Sequence, residues 1–211
     1  MRRLAILIAF TGGLFPLHAT TLQQLGLDEM ARKSTAIARV RVLGAAGVLH
    51  GGDVYTVYQI EALESLKDST SQPLAGSQPL AGHGTTAVAI PGGAAGGIRQ
   101  VVEGAPSLRV GAEYVLFLWT GRSGLTQIIG LSQGVFAVEP RDHSLTVVVQ
   151  KPFPSRAREQ AVVTRAPAEE RMLDAAGRPV RDVALTMTWP QLKAQVREAL
   201  RVNASVPAGG R

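Results

Sequence analysis

Period-2 alternation constrains this chain more than any other feature. From Ser34 to Leu43, Ala36, Ala38, Val40 and Val42 fall on one face, and Arg39 and Arg41 on the other. That is the pattern of a half-buried strand, since a helix repeats its apolar positions every third or fourth residue. His50-Gly51-Gly52-Asp53 is a turn cluster. Val54–Leu66 follows as a run of β-branched and aromatic residues, with Tyr58 and Ile60 on the face opposite Tyr55 and Val57. Together the two runs predict a long hairpin.

More strands of the same kind follow. Thr85–Ile90 and Ile98–Val102 are short candidates on either side of the glycine-rich Pro91–Gly97. Glu113–Thr120 (EYVLFLWT) is almost wholly apolar, as a central strand buried on both faces would be. Leu125–Ile129, Val135–Val138 and Leu145–Val149 are separated by Gly/Ser and Pro/Asp turns. Turn signals this frequent, between short strands, predict a mainly β protein. The expected architecture is an antiparallel OB-like barrel, with a β-sandwich as the alternative.

Other segments depart from this pattern. Thr20–Lys33 carries Leu22, Leu25 and Met30 near helical spacing and predicts a short helix or turn of helix, with Gly26 as a flaw. Ser71–Gly76 and Ser77–Gly82 are two copies of SQPLAG, read as a duplicated surface loop. Lys151–Pro167 has no clear period and predicts a surface excursion. Arg171–Asp174 and Pro179–Val183 predict a small hairpin. Trp189–Val202 predicts an amphipathic helix, with Leu192, Val196 and Leu200 on one stripe, Thr188 as N-cap and Pro190 in the first turn. Asn203–Arg211 reads as a frayed tail. The expected organisation is a leader at 1–19, a β-barrel domain at 20–150, and a loop, hairpin and helix at 151–211 packed on the barrel.

The leader reading rests on Met1-Arg2-Arg3, the apolar run Leu4–Leu17 and the small residue in Leu17-His18-Ala19. This is the arrangement of a secretory signal peptide, and the run is too short to span a membrane as a helix. The expectation is a periplasmic or secreted protein with no transmembrane anchor after cleavage. The formal charge is +6, concentrated in residues 151–211, where 11 basic residues face 6 acidic ones. Arginines scattered in this way, without interleaved aromatics, do not suggest a nucleic-acid partner. A structural envelope component with affinity for an anionic surface is one reading of the basic third. The chain has no cysteine. Disulfides, thiolate metal sites and a cysteine nucleophile are thereby excluded.

Candidate chemistry is sparse. Gly130-Leu131-Ser132-Gln133-Gly134 matches G-x-S-x-G, which in hydrolases places a nucleophilic serine on a strand-to-helix turn. Here VFAV, a strand-like run, follows, and the downstream histidine is His143, so a glycine-bounded turn is the simpler reading. A small serine hydrolase using Ser132 and His143 remains the enzymatic alternative. Its test is an imidazole nitrogen within hydrogen-bond reach of Ser132 Oγ. His50, His83 and His143 lie apart in turns, so no metal site and no cofactor are expected. Asp53 beside His50 and Asp142 beside His143 are single acid–imidazole neighbours. Glu61/Glu64 and Glu169/Glu170 are not placed across a cleft by anything in the sequence. Tyr55, Tyr58, Tyr114, Phe117, Trp119 and Phe136 lie in strands and read as core. Asn203-Ala204-Ser205 is a glycosylation sequon. Pro91–Gly97 lacks the residues of a phosphate-binding loop. It reads as a flexible inter-strand loop that can meet a partner by its backbone, through Gly92, Gly93, Gly96 and Gly97.

Several stretches recur together in a recognisable order. These are Val54-Tyr55-Thr56-Val57, Ser65-Leu66-Lys67, Pro91-Gly92-Gly93, Gly104-Ala105-Pro106, Val110–Leu118 and Gln133-Gly134-Val135-Phe136. Across about residues 34–140 the chain resembles uncharacterised exported bacterial β-rich proteins. Asp68 stands where that pattern usually has glycine. The strand order is distantly similar to the OB-type barrel of netrin-like domains and tissue inhibitors of metalloproteinases. Those inhibitors act through an N-terminal cysteine, which this chain lacks, so the resemblance carries the fold and not the mechanism. The functional expectation is an exported, non-enzymatic protein that binds another macromolecule through barrel loops. A protease-inhibitor-like module is the alternative within binding.

Overall fold

The computed structural model describes residues 21–68, 85–139, 161–168 and 170–204. The leader, the SQPLAG pair, the Leu145–Val149 strand and the terminal tail all lie outside the described residues.

The long hairpin forms as the alternation predicts. Strands β2 (Ala36–His50) and β3 (Asp53–Lys67) pair antiparallel from Ile37↔Lys67 to His50↔Asp53. Gly51 and Gly52 close the turn at φ 63° and 93°, the left-handed region that a two-residue hairpin needs and that side chains resist. Register shifts at three places bend the pair. β4 (Thr85–Pro91) adds beside β3. β7 (Glu113–Thr120) adds on the other side of β2. Beyond β7 the sheet continues through β9 (Val135–Glu139), β10 (Val162–Arg165) and β13 (Leu185–Thr188), while β8 (Thr126–Ile128) also pairs with β7. Every pairing in this sheet is antiparallel.

One face of this sheet curls on itself. Ala36, Ala38, Val40 and Val42 of β2 meet Tyr58 and Ile60 of β3, Val88 and Ile90 of β4, Leu116 and Leu118 of β7, and Ile128 of β8 in one core. β4 and β8 therefore approach each other across that core. No ladder joins them among the described residues. The opposite face is also buried. It carries Val115 and Phe117 of β7, Phe136 of β9 and Val163 of β10 under two helices, α1 (Leu27–Lys33) and α2 (Trp189–Ala204). In α2, Leu192, Val196 and Ala199 point into this layer. Burying each of the larger two contributes about 1.5–3 kcal/mol. Thr188 and Gln191 cap α2 reciprocally: Thr188 N donates to Gln191 Oε1 at 2.8 Å, and Gln191 N to Thr188 Oγ1 at 3.4 Å.

Three expectations need correction. Within 20–33 the short helix is confined to α1: β1 (Thr21–Gln23) precedes it, and Gly26, read as a flaw inside the helix, is its N-cap. The arginine face of β2 is not open to water. Arg39 is 2% exposed and is neutralised there by Glu113 of β7. The supposed excursion at 151–167 contains β10, an interior strand of the main sheet.

The predicted small hairpin exists as β11 (Arg171–Leu173) and β12 (Pro179–Val180), and β1 lies parallel to β11 to make a three-stranded sheet. Arg165 ties it to the body. Its Nη1 and Nη2 donate to the two oxygens of Asp182 at 3.0 and 2.8 Å, with both residues buried. Burial pushes the Asp182 carboxyl up. The opposing hydrogen bonds from Arg165, the Ala168 amide and Gln24, with the Arg165 charge, hold it below the usual aspartate range. A lowered carboxylate adds stability above its unfolded pKa, about 3.9, and loses it as pH falls through the folded value. The wild-type melting temperature should therefore fall more steeply between about pH 5 and pH 2 than that of Asp182→Asn. Parallel pH–Tm curves for the two proteins would contradict this assignment.

Candidate partner-binding surface

Pro91–Gly97 was expected to be a flexible loop. Instead, Gly93–Ala95 (β5) and Ile98–Gln100 (β6) form a hairpin with register Gly93↔Gln100, Ala94↔Arg99 and Ala95↔Ile98. Its four glycines do two different jobs. Gly96 and Gly97, at φ 57° and 78°, form the tight turn at the tip, with open space around them. Gly92 and Gly93 lie at the base, where the backbone is packed closely. A Cβ on Gly93 would sit 2.4 Å from Thr56 Oγ1.

The base is bonded to the long hairpin. Gly92 N donates to Val54 O at 2.8 Å, Thr56 Oγ1 donates to Gly92 O at 2.9 Å, and Val54 N donates to Gln100 Oε1 at 2.8 Å. Gly47 of β2 completes the seat, since a Cβ there would come 1.8 Å from the Ala94 carbonyl oxygen. The hairpin is thus held against β2 and β3 by the Gly92 backbone, the Gln100 side chain and the close approach of Ala94 to Gly47, and its outer side chains are left to solvent. Ile98 is 51% and Val101 81% exposed. Arg99 between them is exposed and makes no ion pair with the described residues.

Behind this rim lies a groove of about 230 Å³ between Pro91–Gly93, Gln100–Val102 and the 105–106 turn. It shares Pro91 and Pro106 with a narrow apolar slot lined by Ala89, Ile90, Ile128 and Leu131. That slot marks the gap between β4 and β8. The arrangement offers an apolar rim, one guanidinium and a strand edge that no described strand covers. These are the ingredients of protein recognition by side-chain anchors and strand edges.

The other sequence candidates are distributed elsewhere. The G-x-S-x-G stretch is a single 3-10 turn, Leu131–Gly134, entered through Gly130 at φ 62° and Leu131 at φ 53° and leaving directly into β9. Ser132 Oγ is buried without a hydrogen-bond partner among the described residues. Gln133 is the working residue of this turn. Its Oε1 accepts from Leu25 N at 2.8 Å and its Nε2 donates to Gln23 O at 3.1 Å, so it fastens β1 to the sheet. Gly134 is fixed by packing, since a Cβ would meet the Ile129 oxygen at 2.6 Å.

His143, Asp142, His83 and Glu169 lie outside the described residues. His50 is exposed at the hairpin turn, edge-on to Tyr55 and across from Asp53. Glu61 pairs with Arg41, and Glu64 accepts from Trp189 Nε1 and Lys193 Nζ. Tyr58, Tyr114, Phe117 and Phe136 are core as expected, whereas Trp119 is 46% exposed. Among the described residues no group of acids and histidines is gathered as metal ligands would be. Ile98, Arg99 and Val101 were not singled out by the sequence, because nothing local marks a branched residue in a short strand as solvent-facing. Comparison with family models, curated proteins and solved structures finds no match.

Proposed function

We propose that this protein is exported and acts by binding another protein, without catalysing a reaction, through the β5–β6 hairpin and the groove behind it. The observation that carries this reading is the rigid seat of a hairpin whose apolar side chains face water. A chain that bonds the base of a hairpin to the body at Val54, Thr56 and Gly92, and packs it on Gly47, orders it before any partner arrives. Preorganisation of this kind lowers the entropy lost on binding. Ile98 and Val101, with Arg99 between them, supply apolar anchors and a charge of the type found at interface centres. The scaffold in this reading is an OB-like barrel of β8, β7, β2, β3 and β4, open between β4 and β8, and the partner meets it at that opening.

The test is comparative capture. The tagged full chain, expressed in its native host, is crosslinked in the envelope and medium fractions, beside an Ile98→Asp/Val101→Asp variant. Two charges in an apolar contact should lower recovery of the wild-type partner by more than about tenfold, with far-UV circular dichroism unchanged. Equal recovery by both proteins would remove the hairpin from the interface. A secreted protease in the capture, titrated to loss of activity, would specify the inhibitor form of the reading.

A further inference from the structure

β2 changes character along its length. Residues Ala36–Arg41 lie between β3 and β7, in the interior of the sheet. At Val42 the backbone just before β7 takes over: Val42 N donates to Ala112 O at 3.0 Å, and Gly111 N to Val42 O at 2.8 Å. From Leu43 to His50 the strand pairs with β3 on one side and with no described strand on the other. An inner strand has become an edge.

The orientation of that edge follows from β3. Val54 N donates to Gln100 Oε1 and Val54 O accepts from Gly92 N, so both peptide groups of Val54 point away from β2. Leu49, opposite Val54, therefore belongs to a non-hydrogen-bonded pair, and its N–H and C=O point away from β3. The register is regular from Gly44 to His50, so Gly47 and Ala45 share this orientation. Three donors and three acceptors face outward in a row. Among the described residues nothing outside the long hairpin bonds to them, and Ala45 to His50 are all exposed.

Edges of this kind are commonly guarded by charge, by proline or by a covering element. Leu43–Leu49 (LGAAGVL) contains no charged residue and no proline. β5 braces the strand from one face at Gly47, where a Cβ would lie 1.8 Å from the Ala94 carbonyl oxygen and 3.5 Å from the Ala95 Cβ. Ala95 is paired with Ile98, so the edge is continuous with the exposed β5–β6 surface.

A row of backbone donors and acceptors at strand spacing is matched by another extended chain. A second copy of this chain fits poorly. Antiparallel self-pairing through all three residues would set Gly47 opposite Gly47 and Ala45 opposite Leu49. β5 crosses at that centre and on the same face in both copies, so the two β5–β6 hairpins would meet over the two-fold axis. We propose that Leu43–His50 receives an extended, uncharged segment of a partner protein as an added strand. On the face that carries β5, the residue beside Gly47 has to be small. On the other face, beside Ala46 and Val48, β-branched apolar residues fit. The proposal rests on the reading of this protein as a binder of proteins, and not on the Ile98 and Val101 anchors.

The test is fluorescence anisotropy of the full chain with a labelled nonapeptide, Lys-Val-Ser-Val-Ser-Val-Ser-Val-Lys, and with its counterpart carrying proline for each serine. Saturable binding of the serine peptide is expected, and none of the proline peptide, which lacks N–H groups at alternate positions. Ala45→Pro should weaken binding by about tenfold or more, since it removes an outward donor and leaves the bonds to β3 in place. Ala45→Thr keeps the donor and should bind as the wild type does. Leu49→Pro repeats the test at the other end of the edge, and unchanged far-UV circular dichroism would show that the proline variants fold. The two peptides compared on the wild type need no variant. Absence of saturable binding, equal binding of the two peptides, or binding indifferent to both proline variants would each overturn the proposal. So would a dimer in sedimentation velocity that Ala45→Pro dissociates, which gives the edge to a second copy. In the crosslinking capture, recovery lost with Ile98→Asp/Val101→Asp but kept with Ala45→Pro would uphold the hairpin surface and remove the edge. Peptide binding at the edge with no partner captured would uphold the edge and remove the hairpin surface.

Discussion

Glu113→Ala should lower the unfolding free energy by about 3–5 kcal/mol, the loss expected when one partner of a buried ion pair is removed. Glu113 and Arg39 are each 2% exposed, on neighbouring strands β7 and β2. Glu113 Oε2 accepts from Arg39 Nε at 3.0 Å and Nη2 at 2.7 Å, and Oε1 accepts from Arg41 Nη2 at 2.8 Å. The Arg39 guanidinium also lies 5.8 Å from the centre of the Trp189 ring, under α2. Alanine would take from that buried guanidinium the carboxylate that bonds its Nε and Nη2. Denaturant unfolding of wild type and variant gives the difference directly, provided the slope is unchanged. The double variant Arg39→Met/Glu113→Leu separates the worth of the pair from the cost of burying the Arg39 charge without Glu113. It should regain most of the stability, since apolar replacement of a buried pair is often near neutral. A single-variant loss below about 1 kcal/mol would place these side chains in water instead.

Gly47→Ala should unseat the β5–β6 hairpin and abolish partner capture, while the two cores stay folded. The added Cβ would stand 1.8 Å from the Ala94 carbonyl oxygen and 2.8 Å from its carbon. Both are backbone atoms, so no rotamer change relieves the clash, and β5 must lift from β2. Lifting breaks the Gly92–Val54, Thr56–Gly92 and Val54–Gln100 bonds, none of which belongs to a core. Overpacking of this kind costs about 1–3 kcal/mol. Binding should suffer more than stability, because the hairpin would have to be reordered at each encounter. Capture by Gly47→Ala, compared with Gly44→Ala, reads this out. Gly44 sits in the same strand with open space around it and should tolerate the methyl group. Full capture by Gly47→Ala would mean that the seat does not matter to recognition.

Much of the sheet was legible from the sequence, because its signals are local. The β2–β3 hairpin, the β7 run and the Thr188 cap each declare themselves within a dozen or so residues. What stayed hidden depends on distant partners. Arg39 alternates with apolar residues as a wetted residue does, and only Glu113, 74 positions away, makes its burial tolerable. β10 is four residues in a stretch rich in proline, and becomes a strand because β9 and β13 flank it. β1 is three residues, held by the Gln133 side chain and by a parallel partner some 150 residues on. At the candidate surface, the four glycines stood out in the sequence, but their division into seat and tip did not. The Gly96-Gly97 pair between two short β-forming stretches was a usable hairpin signal. Gly47 gave none, since its need for a bare Cα arises from Ala94.

The alternation of β7 between the two cores has a consequence for how the molecule opens. Tyr114, Leu116 and Leu118 face the curled layer, and Val115 and Phe117 face the helices. The same short stretch of backbone is therefore sheltered from both sides, and β2, β8 and β9 also bond to it. Releasing α1 and α2 strips one face only, and spreading β4 from β8 strips only the other. Solvent deuterium reaches the β7 amides when both have happened together, which is global unfolding. The base of the β5–β6 hairpin is bonded to β3 and not to β7, so the surface proposed for recognition can open with a lifetime separate from that of the strand at the centre.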